Sequence, residues 1–118
     1  MPTLFVYGTL KRGGDNHRFL EGQRFVSAAR TRPLYRLYEL EGYPGMVAAA
    51  ENGQSIEGEI WEVDPACLCR LDEMEGVDQG LYAREPIFLL PPHEPIPVQA
   101  YLFLGSVAGR RDLGTTYA

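Results

Sequence analysis

The chain has 118 residues, of which 45% are hydrophobic and 23% charged, and a formal net charge of −5. That is one domain's length, enough to bury a core without disulfides or metal, and residues 1–118 are read as a single domain. The acidic balance excludes nucleic-acid binding, which needs a basic face to displace counterions from phosphates, and no apolar run is long enough to cross a bilayer.

In chain order, residues 3–7 (Thr-Leu-Phe-Val-Tyr) read as a short buried strand that stops at Gly8. No basic segment precedes it and no cleavage pattern follows, so a signal peptide is not expected. Residues 11–15 read as loop, and Asn16 as the cap of a short helix carrying Phe19 and Leu20 inward. Residues 24–30 and 34–40 are expected strands, followed by turn punctuation at Gly42-Tyr43-Pro44-Gly45. Residues 46–50 and 55–63 are expected to be strands joined as a hairpin around Asn52-Gly53, both of which tolerate positive φ. In the second of these, Ile56, Gly58 and Ile60 alternate with Glu57, Glu59 and Trp61. The clearest helix follows, with Asp64 as N-cap, Pro65 at the first helical position and Gly76 as the stop. Residues 81–90 and 98–104 are strand candidates flanking a proline-rich loop at 91–97. From Gly105 the chain is small and polar, so residues 105–118 are expected to be a mobile tail. Many strands with two short helices predict an α+β domain whose sheet curls into a barrel.

Most catalytic classes find no support in the residues. His17 and His93 lack a Glu-bearing helical pair, and Cys67 and Cys69 have no partners at ligand spacing, so no metal site is expected. Two positions apart on a helix, those cysteines point to opposite sides and cannot bridge each other, which fits a reduced, cytoplasmic protein. Ser27, Ser55 and Ser106 lie in no nucleophile elbow, and the glycines at 8, 13 and 14 match neither dinucleotide-binding nor phosphate loops.

The helix is more informative. At 100° per residue Glu75 falls on the stripe of Leu68 and Leu71, Glu73 on the opposite side with Cys69 and Arg70, and Asp72 at the margin. Glu75 is therefore expected to point inward and Glu73 to water. A carboxylate on an apolar stripe is costly unless paired or neutral, and burial raises its pKa towards the range useful for proton transfer. Two readings stay open: a proton carrier, or a helix-end glutamate that bends to water or pairs with an arginine such as Arg84. Tyr7-Gly8-Thr9-Leu10 is the second feature, either an anion-binding concavity of outward N–H groups or an ordinary strand-to-loop turn. Tyr43, Tyr82 and Tyr101 read as core or barrel-lining aromatics.

Phe5-Val6-Tyr7-Gly8-Thr9-Leu10-Lys11-Arg12-Gly13, with Asn16 after it, resembles the N-terminal signature of the γ-glutamylcyclotransferase-like superfamily. Leu71-Asp72-Glu73-Met74-Glu75-Gly76, followed by Leu81-Tyr82-Ala83-Arg84, resembles its second signature, and Gly42-Tyr43-Pro44-Gly45-Met46 falls where that family has a similar turn. The length is similar to the small γ-glutamylamine cyclotransferase branch. The resemblance implies a small mixed β-barrel with a helix beside its open end. It implies closure of a γ-glutamyl group to 5-oxoproline with release of an amine, without cofactor or metal. It also implies roles: Glu75 as general acid/base, and Tyr7, Gly8, Thr9, Leu10 and Tyr82 as the substrate-binding residues. The expected partner is a small γ-glutamyl compound, handled by a monomer or weak homodimer. Two other readings compete: a non-catalytic domain binding a carboxylated γ-glutamyl-like metabolite, and hydrolysis of an amide by water through the same glutamate. Nothing in residues 45–54 or 91–97 identifies the amine released.

Overall fold

A computed structural model describes residues 2–117. Eight strands form one mixed sheet curled into a half-barrel: β1 (Thr3–Val6), β2 (Arg24–Arg30), β3 (Tyr35–Glu39), β4 (Pro44–Ala48), β5 (Glu57–Glu62), β6 (Tyr82–Ile87), β7 (Val98–Phe103) and β8 (Asp112–Gly114). The strand order is β2-β5-β1-β7-β4-β3-β8, and β6 pairs along the other edge of β7. One α-helix, α1 (Pro65–Met74), crosses between β5 and β6. The helix expected after Asn16 is a single 3-10 turn, His17–Leu20. No helix among the described residues is long and apolar enough to cross a membrane.

Strand alternation builds two cores on the two faces of this sheet. Phe5, Ile60, Val98 and Ala100 fill the inside of the half-barrel with Leu37, Met46 and Ile56. Leu4, Val6, Trp61, Val63 and Tyr101 point the other way, where α1 covers them with Cys67 and Leu71. The helix starts where Asp64 accepts the Cys67 N–H at 2.7 Å, and Gln23 grips Asp64 through both its amide atoms. It stops because Gly76 takes φ +68°, the left-handed conformation that favours glycine.

The hairpin expected around Asn52-Gly53 does not form. Asn52 does adopt φ 59°, so the local turn chemistry is present. However, β4 pairs antiparallel with β3, from Tyr35↔Ala48 to Glu39↔Pro44, while β5 leaves to pair with both β1 and β2. The true hairpin turn lies at residues 40–43, where the Leu40 N–H donates to the Tyr43 carbonyl at 2.8 Å. A turn signal reverses the chain but does not choose its partner. With Gly58, Glu59, Ile60 and Trp61 all buried, β5 is a central strand and needs a neighbour on each edge.

Within the tail, β8 pairs with the free edge of β3, Arg36 and Asp112 form an ion pair, and the Thr115 carbonyl takes the Glu57 N–H at 2.8 Å. A polar segment can be held by backbone bonds along a sheet edge without any hydrophobic pattern of its own.

Candidate active site

The sheet forks at one place, and the fork shapes the site. β6 occupies one edge of β7 along its whole length, so β1 and β4 share the other edge: Leu4 pairs with Gln99, and Met46 with Leu102. Into the gap between them goes the side chain of Tyr7. Its hydroxyl donates to the Tyr101 carbonyl at 2.6 Å and accepts the Met46 N–H at 3.2 Å. Burial holds the Tyr7 phenol protonated, well above its usual pKa, although the Met46 N–H works against this.

Beyond Tyr7 the chain turns through Gly8, Thr9 and Leu10. A Cβ on Gly8 would stand 2.5 Å from Pro44 Cγ, so glycine lets the end of β1 press against the start of β4. Lys11 N–H closes the turn onto the Gly8 carbonyl at 3.1 Å. Among the described residues no acceptor takes the N–H groups of Gly8, Thr9 or Leu10. Asn16, expected to cap a helix, makes no such cap. Its side chain donates instead to Thr9 Oγ1 at 3.0 Å, and its N–H to the Thr9 carbonyl at 2.9 Å.

The turn faces a cavity of about 470 Å3, with Glu75 among its walls. Glu75 is the residue just past α1, and its N–H still bonds to the Leu71 carbonyl at 2.9 Å. Its helical backbone therefore keeps it on the stripe of Leu71, partly buried, while Glu73 is exposed. Arg84, the arginine that offered a pairing partner, goes elsewhere: it holds both Asp72 oxygens at 2.9 and 3.0 Å. The neighbouring hydroxyls are also committed, Tyr82 to the Pro44 carbonyl at 2.9 Å and Tyr101 to Asp72 Oδ1 at 2.6 Å. With burial and no compensating cation, the Glu75 carboxyl is pushed up to about 7. Its charge adds to the burial that keeps the Tyr7 and Tyr82 phenols protonated, and to the burial and Asp72 contact that do so for Tyr101.

All six expected site residues, Tyr7, Gly8, Thr9, Leu10, Glu75 and Tyr82, line this one cavity. It also takes in Asn16, Tyr43, Pro44 and Tyr101, for which the residue pattern made no site assignment. Tyr43 and Pro44 read as turn residues, Tyr43 and Tyr101 also as core or barrel-lining aromatics, and Tyr101 lines the cavity from β7. Glu59 supports the site from behind. Buried on β5, it accepts from the Trp61 ring N–H and from Arg12 N–H and Nε, at 3.0–3.1 Å, fixing the loop after the turn. Burial alone would raise its pKa, but these bonds outweigh it and hold the carboxyl below its usual range. No group of three or more His, Cys, Asp or Glu side chains among the described residues is arranged to hold a metal ion.

Comparison with known proteins agrees with this architecture. The family model for gamma-glutamyl cyclotransferase, AIG2-like proteins matches residues 4–116. A putative gamma-glutamylcyclotransferase of Vibrio cholerae is 43% identical over 74 residues, which cover 63% of this chain and 62% of that protein. The human gamma-glutamylaminecyclotransferase is 39% identical over 95 residues, covering 71% of this chain and 59% of its own. The chain thus spans less than two-thirds of the length of either relative. An AIG2-like protein of Mus musculus has the same fold, with a TM-score of 0.73 at 29% identity over 90% of this chain and 78% of that one. The chain belongs to the gamma-glutamyl cyclotransferase, AIG2-like family.

Proposed function

We propose that the protein cyclises a γ-glutamyl group to 5-oxoproline and releases an amine, with Glu75 carrying the proton. The substrate's α-carboxylate lies against the N–H groups of Gly8, Thr9 and Leu10, which favour an anion. Glu75 takes a proton from the α-amine as its nitrogen attacks the γ-carbonyl carbon. The new N–C bond closes a five-membered ring. The bond to the leaving nitrogen then breaks, and that nitrogen receives the proton held by Glu75. Neither water nor a redox partner is consumed. Because attack is intramolecular, the cavity mainly folds the substrate into an attacking conformer, and one carboxyl near neutral pKa serves both proton steps.

One observation carries this reading: a partly buried carboxyl without a cationic partner shares a cavity with the turn Gly8-Thr9-Leu10, whose N–H groups have no acceptor among the described residues. A pure carboxylate-binding pocket gains nothing from a second acid. The names of the relatives support the same chemistry, and the two unbridged cysteines suit a reducing, cytoplasmic setting. Mass spectrometry of products from a panel of γ-glutamyl amines and peptides tests it. Release of 5-oxoproline is expected. Free glutamate would indicate hydrolysis instead, and binding without turnover a non-catalytic domain.

A further inference from the structure

We propose that Asp72 is a positioning residue for Glu75: it clamps the Arg84 guanidinium and the Tyr101 hydroxyl at the margin of α1, so that no cation reaches the Glu75 carboxyl one helical turn further on. The inference rests on reading Glu75 as the proton carrier and concerns what sets its protonation.

The geometry comes from two elements meeting. Arg84 and Tyr101 are direct cross-strand partners on β6 and β7, so their side chains leave the same face of the sheet, towards α1. Both end on Asp72. The guanidinium spans both carboxylate oxygens at 2.9 and 3.0 Å, and the phenol donates to one of them at 2.6 Å. A third arm of the guanidinium donates to Gln99 Oε1 at 2.7 Å, from the position two residues before Tyr101 on the same face. A planar fork held on three acceptors has little freedom to swing. Asp72 and Glu75 are three residues apart, hence neighbours on the helix surface. A guanidinium that reaches the first and is released is within a side chain's sweep of the second.

The remaining charged and titratable groups around Glu75 do not offer it a cation. Tyr7 from the end of β1, Tyr43 before β4, Tyr82 on β6 and Tyr101 on β7 are phenols. Asp15 is acidic and lies at the exposed rim, and Glu73 points to solvent on the far side of the helix end. From the 3-10 turn packed on α1, His17 turns to the Leu10 carbonyl and the Trp61 ring, and Arg18 is exposed, bonded to the Asp15 carbonyl. On the far side, Asp78 of the second 3-10 turn (Val77–Gln79) is exposed. Arg84 is thus the cation that Asp72 withholds. Together Asp72 and Arg84 form a neutral pair, so removing either one leaves the other's charge, partly screened by solvent, about one helical turn from Glu75, with opposite signs in the two variants.

That sign reversal is the test. The Glu75 carboxyl is titrated by carbon NMR on glutamate-labelled protein, its resonance assigned by loss in Glu75→Gln. Asp72→Asn is expected to lower the Glu75 pKa by roughly half a unit to one unit, and Arg84→Gln to raise it by a similar amount. The double variant should return close to the parent. The acidic limb of kcat/KM should move in the same directions, which a merely structural role would not produce. If Asp72→Asn fails to fold, Arg84→Gln reads the same charge from the other side, and a Glu75 titration unmoved there overturns the proposal. So does a double variant that keeps the shift of either single change. Failure of the underlying reading looks different: Glu75→Gln would then retain turnover while the NMR shifts still appeared.

Discussion

The Tyr7 hydroxyl bridges the Tyr101 carbonyl and the Met46 N–H, so one side chain replaces ladder bonds that β1 and β4 cannot both make to β7. Tyr7→Phe keeps the ring but leaves a buried carbonyl and a buried N–H without partners. The expected loss is about 1–3 kcal/mol of folding stability. It should appear as a lower urea midpoint with an unchanged slope. A stability equal to the parent's would mean that the fork is held by packing alone.

Glu75 and Glu73 are expected to separate sharply. Glu75→Gln preserves size but cannot accept the amine proton, and general base catalysis is typically worth ~10²–10⁴-fold, so 5-oxoproline release should fall by at least that order. Glu73→Gln, at an exposed position, should match the parent. Retained turnover in Glu75→Gln would place the base elsewhere.

The pKa of Glu75 also makes a stability prediction. Its folded pKa, about 7, lies above the ordinary value of 4.5. The neutral form is therefore the one burial favours, and this contribution is fully present below about pH 4.5 and lost as pH rises through 7. Relative to Glu75→Gln, the parent should lose stability across that window, by about 3 kcal/mol at most. Melting curves of both proteins at pH 4.5 and pH 8 measure it: the gap should open only at the higher pH.

Catalysis should show the opposite trend over the same range. The base works only when ionised, so kcat/KM should rise with pH up to about 7 and then level. An acidic limb centred near 4.5 would mean that substrate-free Glu75 is not desolvated.

Crystals soaked in 5-oxoproline or formate should show the carboxylate against the N–H groups of Gly8, Thr9 or Leu10. Asn16→Ala removes the bond that holds Thr9 Oγ1 and should raise KM more than it lowers kcat. Density confined to other surfaces would refute the cradle.

Local physics wrote much of this protein into its sequence. The 3.6-residue period distinguished Glu75 from Glu73, because side-chain direction on a helix is set by the backbone alone. Asp64, Pro65 and Gly76 marked the ends of α1 through capping chemistry that involves only adjacent residues. The alternation of Ile56, Gly58 and Ile60 with Glu57, Glu59 and Trp61 separated the two faces of β5, although only the fold buries both. What tertiary structure decided was pairing. Asn52-Gly53 turns the chain, yet β5 pairs with β1 and β2 rather than with β4, because a strand buried on both faces must find a neighbour on each edge. Asn16 holds Thr9 rather than capping a helix, and the polar tail is held by the open edge of β3. The same holds for the site's electrostatics. Whether Arg84 neutralises Glu75 or Asp72 depends on a cross-strand register with Tyr101 and on the side of α1 it faces. Those are distances between residues far apart in the chain, and no spacing along the sequence encodes them.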